Sequence, residues 1–291
     1  MASIEREEPA PAEGIAEETE FPDPATLDRL LAQWPRRPSE YRVPNLWLYR
    51  RRHGYRLLET EEGAWLAGVT YDGERHFLPF GSLSAGRAAR ILEHGGCIYP
   101  LEEEEARALC RVGDFRAEAN PADSDYLYDA RRLSRLDGAK TRRRQAAAFE
   151  QAHRPRAMVL TPETVPLALD VLAGWLGDVG RAPEATDLEE CGQALLCTED
   201  MSLSGMVVLA DDRPAGFLLA GPLLLGERVI HFAKGRRALD GVYPWMFSRF
   251  AGLCGAASLN FEQDLGNPGL AQSKRAYAPV AQRLKYRLRR A

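Results

Sequence analysis

Cysteine is scarce in this 291-residue sequence, and none of the five cysteines forms a Cys-x-x-Cys pair. Their odd number and wide spacing argue against a disulfide framework and a structural zinc site. No run approaches the roughly 18 apolar residues of a membrane span, and the acidic N-terminus lacks the apolar core of a signal peptide. No serine stands in a nucleophile elbow. These absences favour a reduced, cytoplasmic compartment.

Three segments are dominated by charge of a single sign, although the formal net charge of the whole chain is only −4. Residues 1–24 hold eight acids and one base, with few large apolar side chains, so we predict a disordered acidic tail over residues 1–25. Residues 131–144 and 272–291 each hold seven cations and almost no acid. These two basic clusters favour a phosphate-bearing partner, and solvated surface faces are the alternative.

The order of the predicted elements indicates an α+β fold. We expect two side-by-side modules over residues 26–140 and 141–291, each a mixed, mainly antiparallel sheet flanked by helices. Helices are predicted over residues 26–35 (capped by Thr26), 84–94, 102–110, from 162 (capped by Thr161), 186–197 and 241–253. Strands are predicted as a meander over 55–81, at 97–101, as a pair over 114–129, and at 158–161, 206–210, 216–221, 228–233, 257–261 and 282–289.

Four stretches together resemble a known protein family. They are EYRVPNLWLYRRRHGYRL (40–57), YLYDARRLSRLDGAK (126–140), HFAKGRRALDGVYPWMFSRFA (231–251) and LNFEQDLGNPGLAQSKRAYAP (259–279). The resemblance is to a bacterial family of unknown function that is grouped with the C-terminal catalytic domain of phosphatidylglycerol lysyltransferases. It extends over about residues 40–285. The sequence departs from the family pattern at Ala233, where an acid is expected, and at Ala271, where an arginine is expected.

The resemblance implies a tandem fold of the GCN5-related N-acetyltransferase type and a place among acyl- and aminoacyltransferases. The donor is then an aminoacyl-tRNA or an acyl-CoA, and the acceptor a small molecule, a lipid headgroup or a peptide with an amine or hydroxyl. The sequence shows no membrane-spanning N-terminal region like that of the lysyltransferases. Lipid aminoacylation as such is therefore not expected.

In such folds the donor binds where two central strands separate, beside a turn that leads into a helix. Here the turn is KGRRALDGVYP (234–244), which lacks the usual glycine-rich pattern for a pyrophosphate. Lys234, Arg236 and Arg237 are candidate donor-binding residues because their cations suit phosphate.

The polar loop after the last predicted long helix carries the candidate catalytic acids. Glu262 and Asp264 are candidates for a general base and the residue that orients it. The alternative is that both carboxylates fasten the turn, and the position of Asp264 before Leu-Gly favours this for Asp264. Asn260 is a candidate binding residue with the same ambiguity.

Cations and tyrosines near this loop complete the candidate site. Lys274 and Arg275 are candidates for binding a substrate phosphate or carboxylate, with solvated helix surface as the alternative. Tyr277 is a candidate proton donor to the leaving group, and packing is its alternative. Tyr128 and Asp129 are candidate cleft residues or fasteners between the modules. A lone histidine in a strand, such as His231, is more often a core residue than a base.

Two further classes of function stay open beside the transferase. One is a non-catalytic binding module that keeps the acyltransferase fold, which the departures at Ala233 and Ala271 favour. The other is a tRNA- or nucleotide-binding regulator in which the acidic tail competes for the binding surface.

Overall fold

The computed structural model describes residues 21–60 and 63–291. Most of the predicted acidic tail, as far as residue 20, lies outside the described residues. The last two residues of the predicted tail, 24 and 25, belong to the first helix, α1 (Pro24–Ala32).

The described residues of the N-terminal half form four helices and five strands, of which helix α2 was not predicted. The helices after α1 are α2 (Val43–Leu48), α3 (Ala85–Leu92) and α4 (Glu103–Val112). The strands are β1 (Arg56–Thr60), β2 (Gly63–Val69), β3 (Arg75–Pro79), β4 (Cys97–Leu101) and β5 (Phe115–Ala119). Strands β1, β2 and β3 are antiparallel neighbours, so the predicted meander is confirmed.

The C-terminal half supplies six helices and eight strands. The helices are α5 (Ala130–Ser134), α6 (Lys140–His153), α7 (Val165–Val179), α8 (Leu188–Leu196), α9 (Val242–Leu253) and α10 (Pro268–Arg275). The strands are β6 (Asp125–Asp129), β7 (Arg156–Val159), β8 (Ser204–Ala210), β9 (Arg213–Pro222), β10 (Glu227–Gly235), β11 (Ser258–Asn260), β12 (Ala281–Arg283) and β13 (Tyr286–Arg290).

Both predicted helix caps are wrong by three residues. The cap of α1 lies three residues before Thr26, and the cap of α7 lies three residues after Thr161. Asp23 caps α1, because its carboxylate accepts the backbone N–H of Thr26 and leaves Thr26 inside the helix. Helix α7 starts after Thr164, since the segment that follows Thr161 forms a turn first.

The strands assemble into two sheets, and one strand of the C-terminal half, β13, joins the sheet of the N-terminal half. The first sheet has the order β1-β2-β3-β4-β13-β5, and the second has the order β12-β6-β11-β10-β9-β8-β7. The prediction of a strand pair over 114–129 is wrong, because β5 and β6 lie in different sheets. The single predicted strand over 282–289 is likewise two strands, of which β12 pairs with β6 and β13 lies between β4 and β5. The α+β class with two mixed, mainly antiparallel sheets is confirmed, while the division at residue 140 stays a prediction.

The two halves also share a hydrophobic core. One buried cluster contains Tyr41 and Leu78 from the N-terminal half and Val171, Phe217 and Phe232 from the C-terminal half. Removing these side chains from water stabilises both halves at once, because each supplies the apolar partner of the other.

Two central strands of the second sheet separate and open a gap. Strands β10 and β11 run parallel and pair only from Glu227 opposite Ser258 to Val229 opposite Asn260. Beyond this point β10 continues beside β9 alone, with a bulge between Ile230 and Phe232 in the register of that pair. His231 is the extra residue of the bulge, a feature that re-aims a side chain.

Candidate functional site

A cleft of about 620 Å³ opens where β10 and β11 separate. Both halves of the chain line it. We call the lining residues between 39 and 123, together with Arg287, the N-terminal wall. We call those between 142 and 277 the C-terminal wall. The predicted residues Lys234, Arg236, Arg237, Glu262, Lys274 and Tyr277 all line the C-terminal wall.

The backbone of the polar loop places Glu262 at the edge of the gap. Glu262 has a φ of 56°, which is uncommon for a residue with a side chain. Its N–H donates to Asn260 Oδ1 at 2.7 Å, and Asn260 is fully buried with its amide donating to Asp125. Asn260 therefore supports the loop from beneath instead of lining the cleft.

Lys274 holds the same loop from the other side. Its Nζ donates to the backbone carbonyls of Phe261, Glu262 and Gln263 at 2.6, 3.1 and 2.5 Å. Burial lowers the pKa of Lys274 to about 8, although nearby carboxylates, first that of Glu262, oppose the shift. With all three donors engaged, Lys274 positions Glu262 and has no donor left for a substrate phosphate.

The Glu262 carboxylate faces two side chains in the cleft. Its Oε1 accepts a hydrogen bond of 2.7 Å from the Asn45 amide and lies 3.5 Å from His231 Nδ1. Burial alone would raise the pKa of Glu262, but attraction to His231 and the Asn45 hydrogen bond outweigh it and hold the pKa below its usual value. Glu262 is therefore ionised at neutral pH, with about a fifth of its side chain exposed.

His231 is the site residue that sequence reasoning assigned to the core. Its side chain is only 2% exposed, and neither ring nitrogen makes a hydrogen bond with the described residues. Space for the ring exists because residue 221 is glycine: a Cβ there would meet His231 Nε2 at 3.0 Å. Buried polar atoms without partners are uncommon and mark functional sites. Nothing in the sequence VIHFA (229–233) predicts the bulge that turns His231 towards Glu262.

The expected phosphate turn is occupied by the protein's own groups. The N–H groups of Gly235, Arg236 and Arg237 donate to the Tyr243 hydroxyl, the carbonyl of residue 215 and the Asp178 carboxylate. The Arg236 guanidinium also pairs with Asp178. A pyrophosphate cradle needs such N–H groups to be free.

Acidic side chains also stand beside the cations of the turn. Lys234 donates to both oxygens of Asp187 at 2.6 and 2.8 Å and lies 3.9 Å from the centre of the Trp175 ring. Asp240 lines the cleft just before Gly241, the cap of α9. The carboxylate of Asp240 thus stands where the positive end of the helix would otherwise attract a phosphate.

Tyr277 lines the cleft, whereas Asp264 lies within the loop. The Tyr277 ring packs edge-on against Phe247 at 5.2 Å, with the Arg142 guanidinium 5.1 Å from the ring centre. Burial raises the pKa of Tyr277, so its hydroxyl stays protonated at neutral pH. Asp264 accepts from the Tyr126 hydroxyl and from the Gly266 N–H, which fastens the turn.

Besides Asn260 and Asp264, three further predicted residues do not line the cleft. Tyr128 is buried and donates its hydroxyl to the carbonyl of Lys274. Asp129 caps α5 by accepting the N–H of Arg132, and Arg275 is exposed on α10. Tyr128 therefore acts on the site only through the segment that carries Lys274.

The N-terminal wall was not predicted from the sequence. It is rich in rings, namely those of Tyr49, His53, Tyr55, Tyr71, His76 and Tyr99. Burial raises the pKa of the tyrosines at 49, 55 and 99, and lowers that of His53; it lowers that of His76 to about 3. These side chains are uncharged at neutral pH. The only available signal was the frequency of tyrosine in the predicted meander and in strand CIYPL.

The two basic clusters of the sequence differ in how many of their cations form ion pairs. In the segment 272–291, Arg283 pairs with Glu227, Lys285 with Glu40 and Asp125, and Arg289 with Glu74. In the segment 131–144, five cations are exposed and form no ion pair with the described residues. These are Arg131, Arg132, Lys140, Arg143 and Arg144. The cluster at 131–144 therefore offers more free positive charge to a partner than the segment 272–291, where Arg275 is the exposed cation without an ion pair among the described residues.

No group of metal-binding side chains is found in the part of the chain that the structure describes. Nor does any of its helices combine the length and apolar character that crossing a bilayer requires.

The structure is thus a two-sheet α+β architecture with a cleft where two parallel strands separate. Residues 31–289 match the family model of the phosphatidylglycerol lysyltransferase C-terminal domain. The chain therefore belongs to this family, as the sequence resemblance predicted. No curated protein sequence gives a significant match.

Two solved structures support the fold. A conserved protein of unknown function from Bacteroides thetaiotaomicron superposes with a TM-score of 0.79 at 19% identity, covering 94% of this chain and 98% of that one. L-PGS from Bacillus licheniformis superposes with a TM-score of 0.62 at 18% identity, covering 94% of each chain. At these identities the likeness establishes the shared fold alone.

Proposed function

We propose that the protein transfers an aminoacyl group from a charged tRNA to an amine or hydroxyl acceptor. The observation that carries the proposal is an ionised Glu262 in the gap between β10 and β11, 3.5 Å from a buried His231 whose ring nitrogens make no hydrogen bond with the described residues. Family membership supports a transferase. The tRNA donor is favoured over an acyl-CoA because the turn at 235–237 has already used its N–H groups.

The exposed cations next to the cleft also favour an RNA donor. Helix α6 presents Arg142 and Gln145 to the cleft and Arg143 and Arg144 to solvent. A nucleic-acid backbone bound to the solvent side would have its end near the cleft, since both sides belong to one helix. Phosphate contacts of this kind supply affinity without requiring a pyrophosphate pocket.

In the proposed mechanism Glu262 accepts the proton of the attacking amine or hydroxyl as the new bond to the aminoacyl carbonyl forms. General-base assistance of this kind is worth about 10²–10⁴ in rate. His231 Nδ1, 3.5 Å from Glu262 Oε1, stabilises the charged form of the carboxylate before attack. Backbone N–H groups of β10 past Val229, which have no β11 partner, serve the carbonyl oxygen as charge develops on it. The ester bond between the aminoacyl carbonyl and the ribose oxygen of the tRNA then breaks, and the proton passes from Glu262 to that oxygen, which leaves as a hydroxyl.

Filter binding to charged tRNA tests the donor, with uncharged tRNA and excess CoA as competitors. We expect the charged form to bind more tightly and CoA to leave the binding unchanged. Displacement by CoA would contradict the proposed donor.

A single substitution tests the role of Glu262. We expect Glu262→Gln to abolish release of labelled amino acid from charged tRNA in the presence of an acceptor extract, and to leave tRNA affinity within about twofold. The exposed Glu163→Gln is the matched control. Unchanged release by Glu262→Gln would remove the general base from the mechanism.

A non-catalytic binding module is the second candidate function. It is favoured by Ala233, which lines the cleft at a position where the family pattern has an acid. Tight binding of charged tRNA with no release of the amino acid under any acceptor condition would support this candidate.

A further inference from the structure

A second cavity lies against a different face of helix α6 from the cleft. It is a groove of about 250 Å³ between α5, α6 and α9, and none of its lining residues lines the cleft. Helix α6 presents Arg143, Ala146, Ala147 and Glu150 to it, because residues three, four and seven positions apart share one helix face. We call this cavity the α6 groove.

Three arginines line the α6 groove, and two of them have no internal partner. Arg143 on α6 and Arg249 on α9 are exposed, and neither makes an ion pair or a hydrogen bond through its side chain with the described residues. Arg135 is paired with Asp137 at 2.5 Å. The hydrogen bond from Arg135, together with the attraction of Arg143, holds the pKa of Asp137 below its usual value. Two guanidinium groups are therefore available to an anion.

The hydroxyl oxygens of the α6 groove are left as hydrogen-bond acceptors. Ser134 Oγ donates to the carbonyl of Arg131 at 2.8 Å, and Ser248 Oγ donates to the carbonyl of Ser134 at 2.6 Å. Each hydroxyl has a single proton, so both oxygens keep only lone pairs for a ligand. The exposed carboxylate of Glu150 is a further acceptor. A ligand that matches these atoms must bring hydroxyl or N–H donors as well as an anion.

The buried lining of the α6 groove is apolar. Leu136 and Trp245 are buried there, and the Trp245 ring packs edge-on against Phe149 at 6.1 Å. The small side chains of Ala146 and Ala147 leave space above this lining, since any longer side chain would extend into the groove. The groove is larger than a bare inorganic anion, so a ligand that fills it has a carbon skeleton too.

We propose that the α6 groove is a binding site for a phosphorylated sugar of the ribose phosphate type. The guanidinium groups of Arg143 and Arg249 bind the phosphate. The sugar hydroxyls donate to Ser134 Oγ and Ser248 Oγ, and the carbon face of the sugar packs on Trp245. The site is separate from the cleft, so the inference goes beyond the proposed transfer reaction and does not depend on it. The ribose phosphate belongs either to an RNA strand or to a free sugar phosphate.

Three small ligands test the site without any transfer reaction. Binding of ribose 5-phosphate, ribose and inorganic phosphate to the full chain is measured by ligand-observed NMR at pH 7 and low salt. We expect ribose 5-phosphate to bind at least about tenfold more tightly than either fragment, since only it reaches both the arginines and the hydroxyl acceptors. Equal binding of inorganic phosphate overturns the proposal, and so does a failure of ribose 5-phosphate to bind.

A charge variant locates the phosphate. We expect Arg249→Gln to weaken binding of ribose 5-phosphate about fivefold or more, because a charge-assisted hydrogen bond is lost. Arg111→Gln is the control, since Arg111 is an exposed arginine of α4 outside the groove. An equal effect of the two variants overturns the assignment of the phosphate to the groove.

A matched pair of alanine variants separates the shape of the groove from its charge. Ala147→Leu fills the groove and leaves every charge in place, so we expect it to abolish binding of ribose 5-phosphate. Ala148 is also exposed on α6 but does not line the groove, and Ala148→Leu should leave binding unchanged. Circular dichroism confirms that both variants fold. Equal binding by the two variants overturns the placement.

Competition with uncharged tRNA distinguishes the two sources of the ribose phosphate. If the groove binds an RNA strand, the tRNA displaces ribose 5-phosphate, and Arg249→Gln weakens binding of both. If it binds a free sugar phosphate, the two ligands bind together. The site and the proposed function fail separately: release of amino acid from charged tRNA without binding of ribose 5-phosphate removes the site, and the reverse result removes the transferase.

Discussion

The two walls of the cleft differ in their charge and in their content of aromatic rings. The C-terminal wall carries five cations and three acids, and much of this charge is paired, as in Lys234 with Asp187 and Arg236 with Asp178. The N-terminal wall carries uncharged rings, two carboxylates and an arginine that is fully neutralised. The C-terminal wall thus consists largely of paired charges, whereas the N-terminal wall presents mainly uncharged rings.

In the proposed function, the exposed cations of α6 beside the C-terminal wall hold the anionic part of the donor, and the uncharged wall faces its other end. A charged tRNA joins a polyanion to an amino acid, so this arrangement would align it without a glycine-rich pyrophosphate turn. Glu262 belongs to the C-terminal wall and accepts a hydrogen bond from Asn45 of the N-terminal wall, so it lies where the two walls meet.

The largest expected effect comes from removing the cation that joins the two halves. Lys285 is fully buried and binds Glu40 at 2.5 Å and Asp125 at 2.7 Å. Lys285→Met leaves both carboxylates without their partner, so we expect the free energy of unfolding to fall by about 3–5 kcal/mol in urea titrations. The exposed Lys140→Met should change it by less than about 0.5 kcal/mol. Equal stability of the two variants would show that the walls are not held together through Lys285.

A smaller loss is expected at Lys274, which positions the loop shared by both walls. Lys274→Met removes donors from three carbonyls, and we expect a loss of about 1–3 kcal/mol together with slower transfer. Because burial lowers the pKa of Lys274 to about 8, the unfolded chain binds more protons between pH 8 and 10.5. The stability of the wild type relative to Lys274→Met should therefore rise with pH in this window. A falling difference would contradict the buried environment of the amine.

The exposed cations of α6 beside the C-terminal wall should affect tRNA affinity more than the rate of the transfer reaction. We expect the double variant Arg143→Gln, Arg144→Gln to weaken tRNA binding about tenfold at low salt. The slope of log affinity against log salt should decrease by about 1.8. Arg111→Gln, an exposed arginine of α4, is the control for non-specific charge effects. An identical change in the control would remove α6 from the binding surface.

The smallest expected effect concerns a ring of the N-terminal wall. Burial lowers the pKa of His76 to about 3, so the folded state keeps it neutral while the unfolded chain binds a proton below pH 6.5. The stability of the wild type relative to His76→Leu should fall as the pH drops from 6.5, by about 1 kcal/mol at pH 5.5. Thermal unfolding at pH 7.5 and 5.5 measures the difference. A pH-independent difference would mean that His76 titrates normally.

Local elements were largely predictable, since they depend on periodicity and turn residues within a few positions. The meander, the helices at 84–94 and 241–253, and the strands MVVLA, GFLLAG and RVIHFA all formed close to the expected limits. The polar loop was also identified as the centre of the candidate site, because its matched acids and bases exceed what a turn requires.

Partnerships between distant residues were not predictable in the same way. Lysine 274 reads as a surface cation, yet folding brings it under three carbonyls; Tyr128 reads as a linker residue, yet it is buried on a central strand. Neither assignment follows from neighbours in sequence, because the partners lie more than ten positions away.

The sequence by itself determined the α+β class, the family and the chemistry available at residues 260–279. Only the tertiary structure decided that β13 joins the sheet of the N-terminal half, that the bulge in β10 turns His231 towards Glu262, and that rings from the N-terminal half complete the cleft. The physical reason is that side-chain period and turn chemistry act over a few residues. Strand partners, burial and charge compensation are settled by contacts between segments that are far apart in the chain.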